Sequence, residues 1–314
     1  MNHCAPVFVF LPLAIACTGV PQDSGGPPRG AKEANAIARD DRAAESLGWR
    51  LAVQAWTFRD RTAHEAIDTA RRLGLRYIEL YPGQALSPDR RDHRVDVAMP
   101  TEDRVLLLSW LDRASVKLVN FGVVGIPADE AKARAIFEFA KTMGVETLTC
   151  EPEPDAWDLA ERFADEYGIA LACHNHPKPS RYWDPRKVLE AVNGRSLLLG
   201  ACADTGHWPR SGLDPLECLK QLGDRVRTLH FKDIAPADRS GIDRPWGTGE
   251  GHAAAMLDLL RERGFRGVFS IEYETGKGEQ LERNVARCIE FFDEQARRLA
   301  AGPRESKGRA GRGS

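Results

Sequence analysis

Five stretches carry residues whose types and spacing could do chemistry. Residues 196–204 run apolar and small (SLLLGACAD), end at Asp204, and deliver His207 three positions later. Residues 169–176 (IALACHNH) end in His174 and His176. TLTC leads into Glu151, TLHFKD presents His230, Lys232 and Asp233, and FSIEYE presents Glu272 and Glu274. In an extended strand residues two apart share a face, so His174 pairs with His176 and His230 with Lys232. Carboxylates and imidazoles without thiolate suit Mn²⁺, Mg²⁺, Co²⁺ or Zn²⁺, and three or four protein ligands leave positions open for substrate. Glu151, His174, Asp204, His230 and Glu272 are therefore the candidate ligands of one divalent metal ion. A metal that chelates a carbonyl and its neighbouring hydroxyl acidifies the hydrogen on the α carbon. A nearby carboxylate or His can then remove that proton and leave an enediolate.

Each residue also has a plainer reading. A single acid at a strand end is ordinarily a helix N-cap or a partner for Lys or Arg, and Glu274 and Asp233 read that way. Glu79, inside YIEL, reads as a buried acid paired with Lys232 or Arg59. His207 alone reads as a structural histidine. Capping does not explain why Glu, His, Asp, His and Glu close successive strands.

The elements that must position these groups alternate regularly. Strands are expected over Leu51–Trp56, Leu75–Tyr81, Val116–Phe121, Val145–Cys150, Ile169–His174, Leu197–Ala203, Val226–Phe231 and Gly267–Tyr273. Helical stretches such as AHEAIDTARRLG and DAWDLAERFADEYG separate them, with apolar residues at i, i+3 and i+4. Thr62 with Glu65, and Asp214-Pro215 with Glu217, read as N-cap and capping-box acid, and Asp155 and Asp184 as further N-caps. Gly74, Gly144, Gly168, Gly223 and Gly264 stand where a helix ends. Eight strand–helix units in about 250 residues are the measure of a (β/α)8 TIM barrel. A doubly wound sheet would need a Gly-rich phosphate loop after strand one, which Leu51–Arg59 lacks. In such a barrel the C-terminal strand ends form the active-site rim, which is where the candidate residues fall.

Composition narrows the setting. The chain has 314 residues, 42% of them hydrophobic, and a formal net charge of −2, so no basic surface points to nucleic acid. Val7–Ile15 is an apolar block followed by Ala16 and Cys17. It reads as a signal peptide over residues 1–17 of bacterial lipoprotein type, with Cys17 as a lipid anchor; a mis-chosen start codon is the alternative. Residues 18–48 read as a linker and extension, 49–299 as a single barrel domain, and 300–314 as a disordered basic tail. Cys150, Cys173 and Cys202 fall inside expected strands and read as packing residues. The oligomeric state is not legible.

The motifs VQAWTFRD, YIELYPG, CHNHP, DTGHW, LHFKD, PWGTGEG and SIEYE resemble the xylose isomerase-like TIM-barrel superfamily, also called the sugar phosphate isomerase/epimerase family, from about Trp49 to Leu299. The resemblance implies one divalent metal, with Asp204, His230 and Glu272 matching three of its ligands. Many members carry Glu on strand five where this chain has His174, so Glu151 and His174 both stand as the fourth. It implies catalytic roles for Glu151, Glu272, His176 and Lys232, the last as charge stabiliser or acid. His207, Trp56, Glu79 and Trp246 are the candidate substrate contacts, and PWGTGEG a loop over the mouth.

One site then serves three outcomes. Returning the proton to the neighbouring carbon isomerises, returning it to the other face epimerises, and losing a β-leaving group makes a lyase or hydratase of 3-keto-glycosides. With an exported chain and no phosphate cradle, the expected substrate is an unphosphorylated sugar or keto-sugar. A metal-cluster endonuclease is disfavoured by the acidic balance, and a non-catalytic exported sugar-binding barrel is the alternative from another class.

Overall fold

The computed structural model describes residues 38–302. The expected signal peptide, its Cys17 anchor and nearly all of the basic tail lie outside them. Among the described residues no helix is long and apolar enough to cross a membrane.

Eight parallel strands close into a barrel. They are β1 (Trp49–Gln54), β2 (Tyr77–Leu80), β3 (Lys117–Ile126), β4 (Thr147–Pro152), β5 (Ala170–His174), β6 (Leu199–Asp204), β7 (Val226–Phe231) and β8 (Gly267–Ile271). Each pairs with its sequence neighbours, and β1 pairs with β8, Trp49 opposite Gly267 and Val53 opposite Ile271. The expected strands all form, with ends shifted by a few residues. β1 stops at Gln54, whose side chain accepts the Trp56 N–H and turns Ala55–Phe58 into a 3-10 helix. Trp56 therefore sits above the strand rather than in it. Two antiparallel hairpins stand on the loops after β2 (Gln84–Ser87 with Arg90–Val95) and after β7 (Asp233–Ala235 with Ile242–Arg244).

Local signals start and stop the surrounding helices. Thr62 and Glu65 close a reciprocal capping box on Ala63–Arg72, while Asp184 and Asp214 accept first-turn N–H groups before Pro185 and Pro215. Gly144 and Gly168 end their helices in the left-handed conformation, which costs glycine no Cβ clash. Two details correct the sequence reading. Glu217 pairs with Lys220 rather than turning back to its N-cap. Helix Trp157–Tyr167 starts at Ala156 without a side-chain cap, so Asp155 does not cap it. The end of the expected linker is also folded: Arg42–Ser46 is helical, and Arg39 Nη2 binds Asp293 Oδ1 at 2.7 Å on the last helix, Gly278–Ala300.

Between strands and helices lies an aromatic shell. Trp49 packs against Phe269 and Phe292, with ring centres 5.0 and 5.9 Å away. Cys150, Cys173, Cys202, Cys218 and Cys288 are all buried and free, and the first three sit in barrel strands as expected. Inside the barrel the side chains form tiers. Ala52, Val119 and Val268 make a small apolar cluster of their own, with Tyr77 against it. One step further along the strands come Glu79, Asn120, Thr149, Thr228 and Ser270, all fully or nearly fully buried, and beyond them the candidate site.

Candidate active site

The D-T-G-H stretch builds the centre of the site. Asp204 is the last residue of β6, and its Oδ1 accepts the N–H groups of Gly206 (3.0 Å) and His207 (2.8 Å). That turn occupies one carboxylate oxygen with backbone and leaves Oδ2 to the barrel mouth. Thr205 ties β6 to β7: its Oγ1 donates to the Lys232 carbonyl (2.7 Å) and accepts the Lys232 N–H (2.8 Å). Gly206 is required there because a Cβ would lie 2.8 Å from Lys232 Cβ. Asn175 holds the same strand end from β5, donating to the Asp204 carbonyl and accepting its N–H.

Four side chains converge on that centre. His174, Asp204, His230 and Glu272 are buried, and each offers a ligand atom within 4.8 Å of the others. His174 Nε2 lies 3.5 Å from Asp204 Oδ2, and His230 Nδ1 lies 3.1 Å from Glu272 Oε2. Both His174 nitrogens and His230 Nδ1 are buried without a hydrogen-bond partner, while Asp204 Oδ2 and Glu272 Oε2 are faced by the Lys232 ammonium. Buried polar atoms are nearly always satisfied, so such a convergence fits a cation that completes them. The donor set is two imidazoles and two carboxylates, which suits a divalent first-row metal or Mg²⁺. Glu151 stands beside this group: its Oε1 lies 3.9 Å from His174 Nδ1 and in short contact with His176 Nδ1. Glu151, His174 and His176 form a second, more exposed cluster.

Lys232 is fully buried, its Nζ 2.9 Å from Asp204 Oδ2, 2.8 Å from Glu272 Oε2 and 2.9 Å from Glu274 Oε2. Burial disfavours its charge, but the three carboxylates outweigh burial and keep it well above the ordinary lysine range. Burial likewise opposes ionisation of Asp204, while the Lys232 ammonium and His174 hold it well below its usual range. His207 goes the other way: burial drives it well below the ordinary histidine value against the pull of Asp204. Arg210 Nη1 lies 3.2 Å from its Nδ1, which fits a neutral ring with its proton on Nε2. Burial raises the Glu151 carboxyl, yet the neighbouring His174 and the hydrogen-bonded His176 bring it down to about 2.

The mouth above is a cavity of about 370 Å³, with Gln54, Trp56, Tyr81, His176, His207 and Glu272 among its walls. Trp56 is 41% exposed and meets Tyr81 edge-on at 5.1 Å. Tyr81, Gln54 and the Gly122–Val123 segment were not singled out in the sequence. Two expected substrate contacts are corrected. Trp246 is buried between Phe231 and Phe292, because the loop after β7 folds it outward against the last helix. Glu79 lies a tier below the mouth, accepting from Thr149 (2.7 Å), Ser270 (2.6 Å) and Asn120 (3.3 Å), with His230 Nε2 at 2.9 Å. It thus pairs with His230, not with Lys232 or Arg59. The PWGTGEG loop wraps Asp233, whose carboxylate accepts the N–H groups of Gly247, Gly249 and Gly251 at 2.9–3.0 Å. Asp233 is a loop anchor, not a partner for a cation, while Glu274 does pair with Lys232 as read.

Comparisons with known proteins agree with this architecture. An uncharacterized protein from Parabacteroides distasonis superposes with a TM-score of 0.64 at 30% identity, covering 79% of this chain and 99% of that one. A xylose isomerase-like TIM barrel protein from Mycobacterium smegmatis, solved in complex with magnesium, gives 0.62 at 14% identity over 81% and 99%. A D-tagatose 3-epimerase-like protein gives 0.61 at 18% over 80% and 98%. Inosose dehydratase from Mesomycoplasma hyopneumoniae is 33% identical over 75 residues, 23% of this chain and 24% of that protein. The chain thus spans about a quarter of the length of that curated relative. The family model described as xylose isomerase-like TIM barrel matches residues 67–295, and the chain belongs to that family.

Proposed function

We propose that the protein is a divalent-metal-dependent isomerase or epimerase that moves the proton α to the carbonyl of an unphosphorylated sugar or keto-sugar. The observation that carries this reading is the convergence of buried ligand atoms from His174, Asp204, His230 and Glu272 beneath an open polar mouth, with the His174 nitrogens and His230 Nδ1 left without a hydrogen-bond partner. A bound divalent ion supplies Lewis acidity toward a carbonyl and its neighbouring hydroxyl. The protein's own groups do the rest. Glu151, held by His174 and His176, and Glu272, held near Lys232, are the two carboxylates placed to take and return a proton. His207 and His176 face the substrate hydroxyls, and the Lys232 ammonium stabilises negative charge on the enediolate oxygen. Trp56 and Tyr81 offer a sugar ring an apolar edge.

An unphosphorylated substrate fits the engagement of Arg210, which stands behind His207 rather than in the cavity wall, by Asp243 (3.2 Å) and Glu274 (3.4 Å). Export through the segment ending at Cys17 belongs to the same reading, and intact mass showing Met1 retained would overturn it. A second reading, β-elimination from a 3-keto-glycoside, is favoured by the exposed Trp56–Tyr81 wall, which has room to hold a leaving ring. The deciding experiment is incubation with Mn²⁺ and candidate ketoses, aldoses and 3-keto-glycosides in heavy water. Deuterium at the α carbon supports proton transfer, aglycone release selects elimination, and binding without exchange moves the sugar-binding reading ahead.

A further inference from the structure

The turn after β6 carries a second charged group behind His207. His207–Arg210 is a single helical turn, so His207 and Arg210 stand three residues apart on one side of it. Arg210 Nη1 reaches back to His207 Nδ1 at 3.2 Å. The rest of the fork is held from outside the turn. Nε donates to the Gly241 carbonyl (3.1 Å), Nη2 to Asp243 Oδ1 (3.2 Å), and Nη1 also faces Glu274 Oε2 (3.4 Å). Asp243 is itself fixed: it is buried, and its Oδ2 accepts the Glu274 N–H (2.9 Å) and the Thr275 hydroxyl (3.2 Å). The hairpin after β7 and the segment after β8 thus clamp the guanidinium and leave one of its nitrogens aimed at an imidazole.

Tying down the hairpin accounts for Nε and Nη2 but not for the contact with His207. A guanidinium has donors only, so His207 Nδ1 is the acceptor and the ring carries its proton on Nε2. The place of that Nε2 gives the contact its meaning. His207 is in the cavity wall, and its Nε2 lies 3.5 Å from Asp204 Oδ2, the separation that His174 Nε2 also keeps. Two ligand atoms each about 2 Å from one ion stand roughly 3–3.5 Å apart, so an unprotonated Nε2 here is a competing ligand. Arg210 Nη1 also bridges His207 Nδ1 to Glu274 Oε2. Taking that nitrogen away leaves Nδ1 toward a carboxylate, which draws the proton to Nδ1 and frees Nε2.

We propose that Arg210, seated by Asp243, is a positioning residue that fixes His207 as an Nε2–H donor toward a substrate oxygen and holds it out of the metal's ligand set. This role rests on the proton-transfer reading above and adds to it the residue that keeps a coordination position open for the sugar. His174, Asp204, His230 and Glu272 remain the ligands, and His207 keeps its proton for a hydrogen bond to the sugar.

The test uses full-length protein carrying isotope-labelled histidine. Proton–nitrogen correlation spectra of the imidazole rings are recorded near neutral pH, metal-free and with Zn²⁺, and His207 is assigned from the signals missing in His207→Gln. The wild-type ring should be neutral with its proton on Nε2 in both spectra. In Arg210→Met the ring should gain an Nδ1 proton, and Zn²⁺ should move its Nε2 signal to the metal-bound position. Arg210→Lys, which keeps a donor, should restore the wild-type pattern. Thr275→Val loosens the same hairpin without touching Arg210, so it should lower Tm and leave the His207 pattern as it is. With a sugar that exchanges in heavy water, kcat of Arg210→Met should fall on the order of 100-fold with KM changed far less. A wild-type proton on Nδ1, a wild-type pattern in Arg210→Met with and without Zn²⁺, or full kcat in that variant overturns the proposal. So does a pattern that Thr275→Val alters as Arg210→Met does, since the hairpin and not Arg210 would then set the ring. If no sugar exchanges, the reading of the reaction fails, while the spectra still decide whether Arg210 sets the state of His207.

Discussion

His230 turns its Nε2 to Glu79 Oε1 at 2.9 Å and thereby presents Nδ1 to Glu272, 3.1 Å away, and to the rest of the upper cluster. A carboxylate one tier below the mouth thus fixes which imidazole nitrogen carries the proton and which is free to act as a ligand. Thr149, Ser270 and Asn120 fix the carboxylate in turn.

Glu79→Gln keeps the shape of that support and removes its charge. Divalent-metal affinity should fall on the order of 10–100-fold, as for other outer-shell partners of ligating histidines. Weakening the hydrogen bonds of a fully buried carboxylate should also cost about 1–3 kcal/mol. Elemental mass spectrometry after dialysis and thermal unfolding check the two effects. Full occupancy in the variant would mean that Glu79 serves only the core.

Asp204→Ala and His230→Ala should each lower metal content and activity together from close to one ion per chain. If both variants keep a full complement of metal, the His174–Asp204–His230–Glu272 cluster is not the metal site.

In heavy water Glu272→Gln should abolish exchange of the α hydrogen, since it removes both a negative ligand and a candidate base. Glu151→Gln discriminates between the roles open to that residue. Loss of exchange with metal retained marks a base, and loss of both marks a ligand. Unchanged exchange removes Glu151 from the reaction.

Trp56→Ala should leave Tm unchanged, because the ring is 41% exposed. With a cyclic sugar as substrate, KM should rise about tenfold with kcat nearly constant, the signature of an apolar contact equal in ground and transition state. A fall in kcat at constant KM would place Trp56 in the reaction itself.

The hairpin that follows Tyr81 is clasped to helix Thr101–Ala114 by Asp103, which binds His93 and Arg90, both at 2.6 Å. Hydrogen bonding to Asp103 raises His93, so its contribution is full below the unfolded value near 6.5 and disappears as pH climbs through the higher folded value. Burial would raise Asp103, but His93 and Arg90 hold it below its ordinary value, so its contribution fades only as pH falls below about 4. The Tm difference between wild type and His93→Gln should therefore be largest between about pH 4 and 6.5 and shrink at higher pH. A pH-independent difference would rule out the charged clasp.

The barrel was legible because its cues are local. Thr62 with Glu65, Gly144 and Gly168 act within one turn of chain, and each apolar strand run announces its own burial. The strand-end residues were legible for the same reason: the pleat alone places Asp204, His230 and Glu272 at the C-terminal rim. Glu79 and Trp246 were misjudged because their partners are distant in sequence. Glu79 meets His230 across 151 positions, and Trp246 is captured by Phe292. Tyr81 was passed over because its wall exists only once Trp56 arrives from β1, which spacing within a strand does not reveal.

The apolar cluster of Ala52, Val119 and Val268 has a kinetic consequence. It closes the barrel interior beneath the site, while Trp56 and the half-exposed His176 stand at the top. A chamber with one opening imposes an order on its visitors. The ion of the proposed reaction must enter before the sugar and cannot leave while the sugar is seated above it, so saturating substrate should slow the stripping of metal by a chelator.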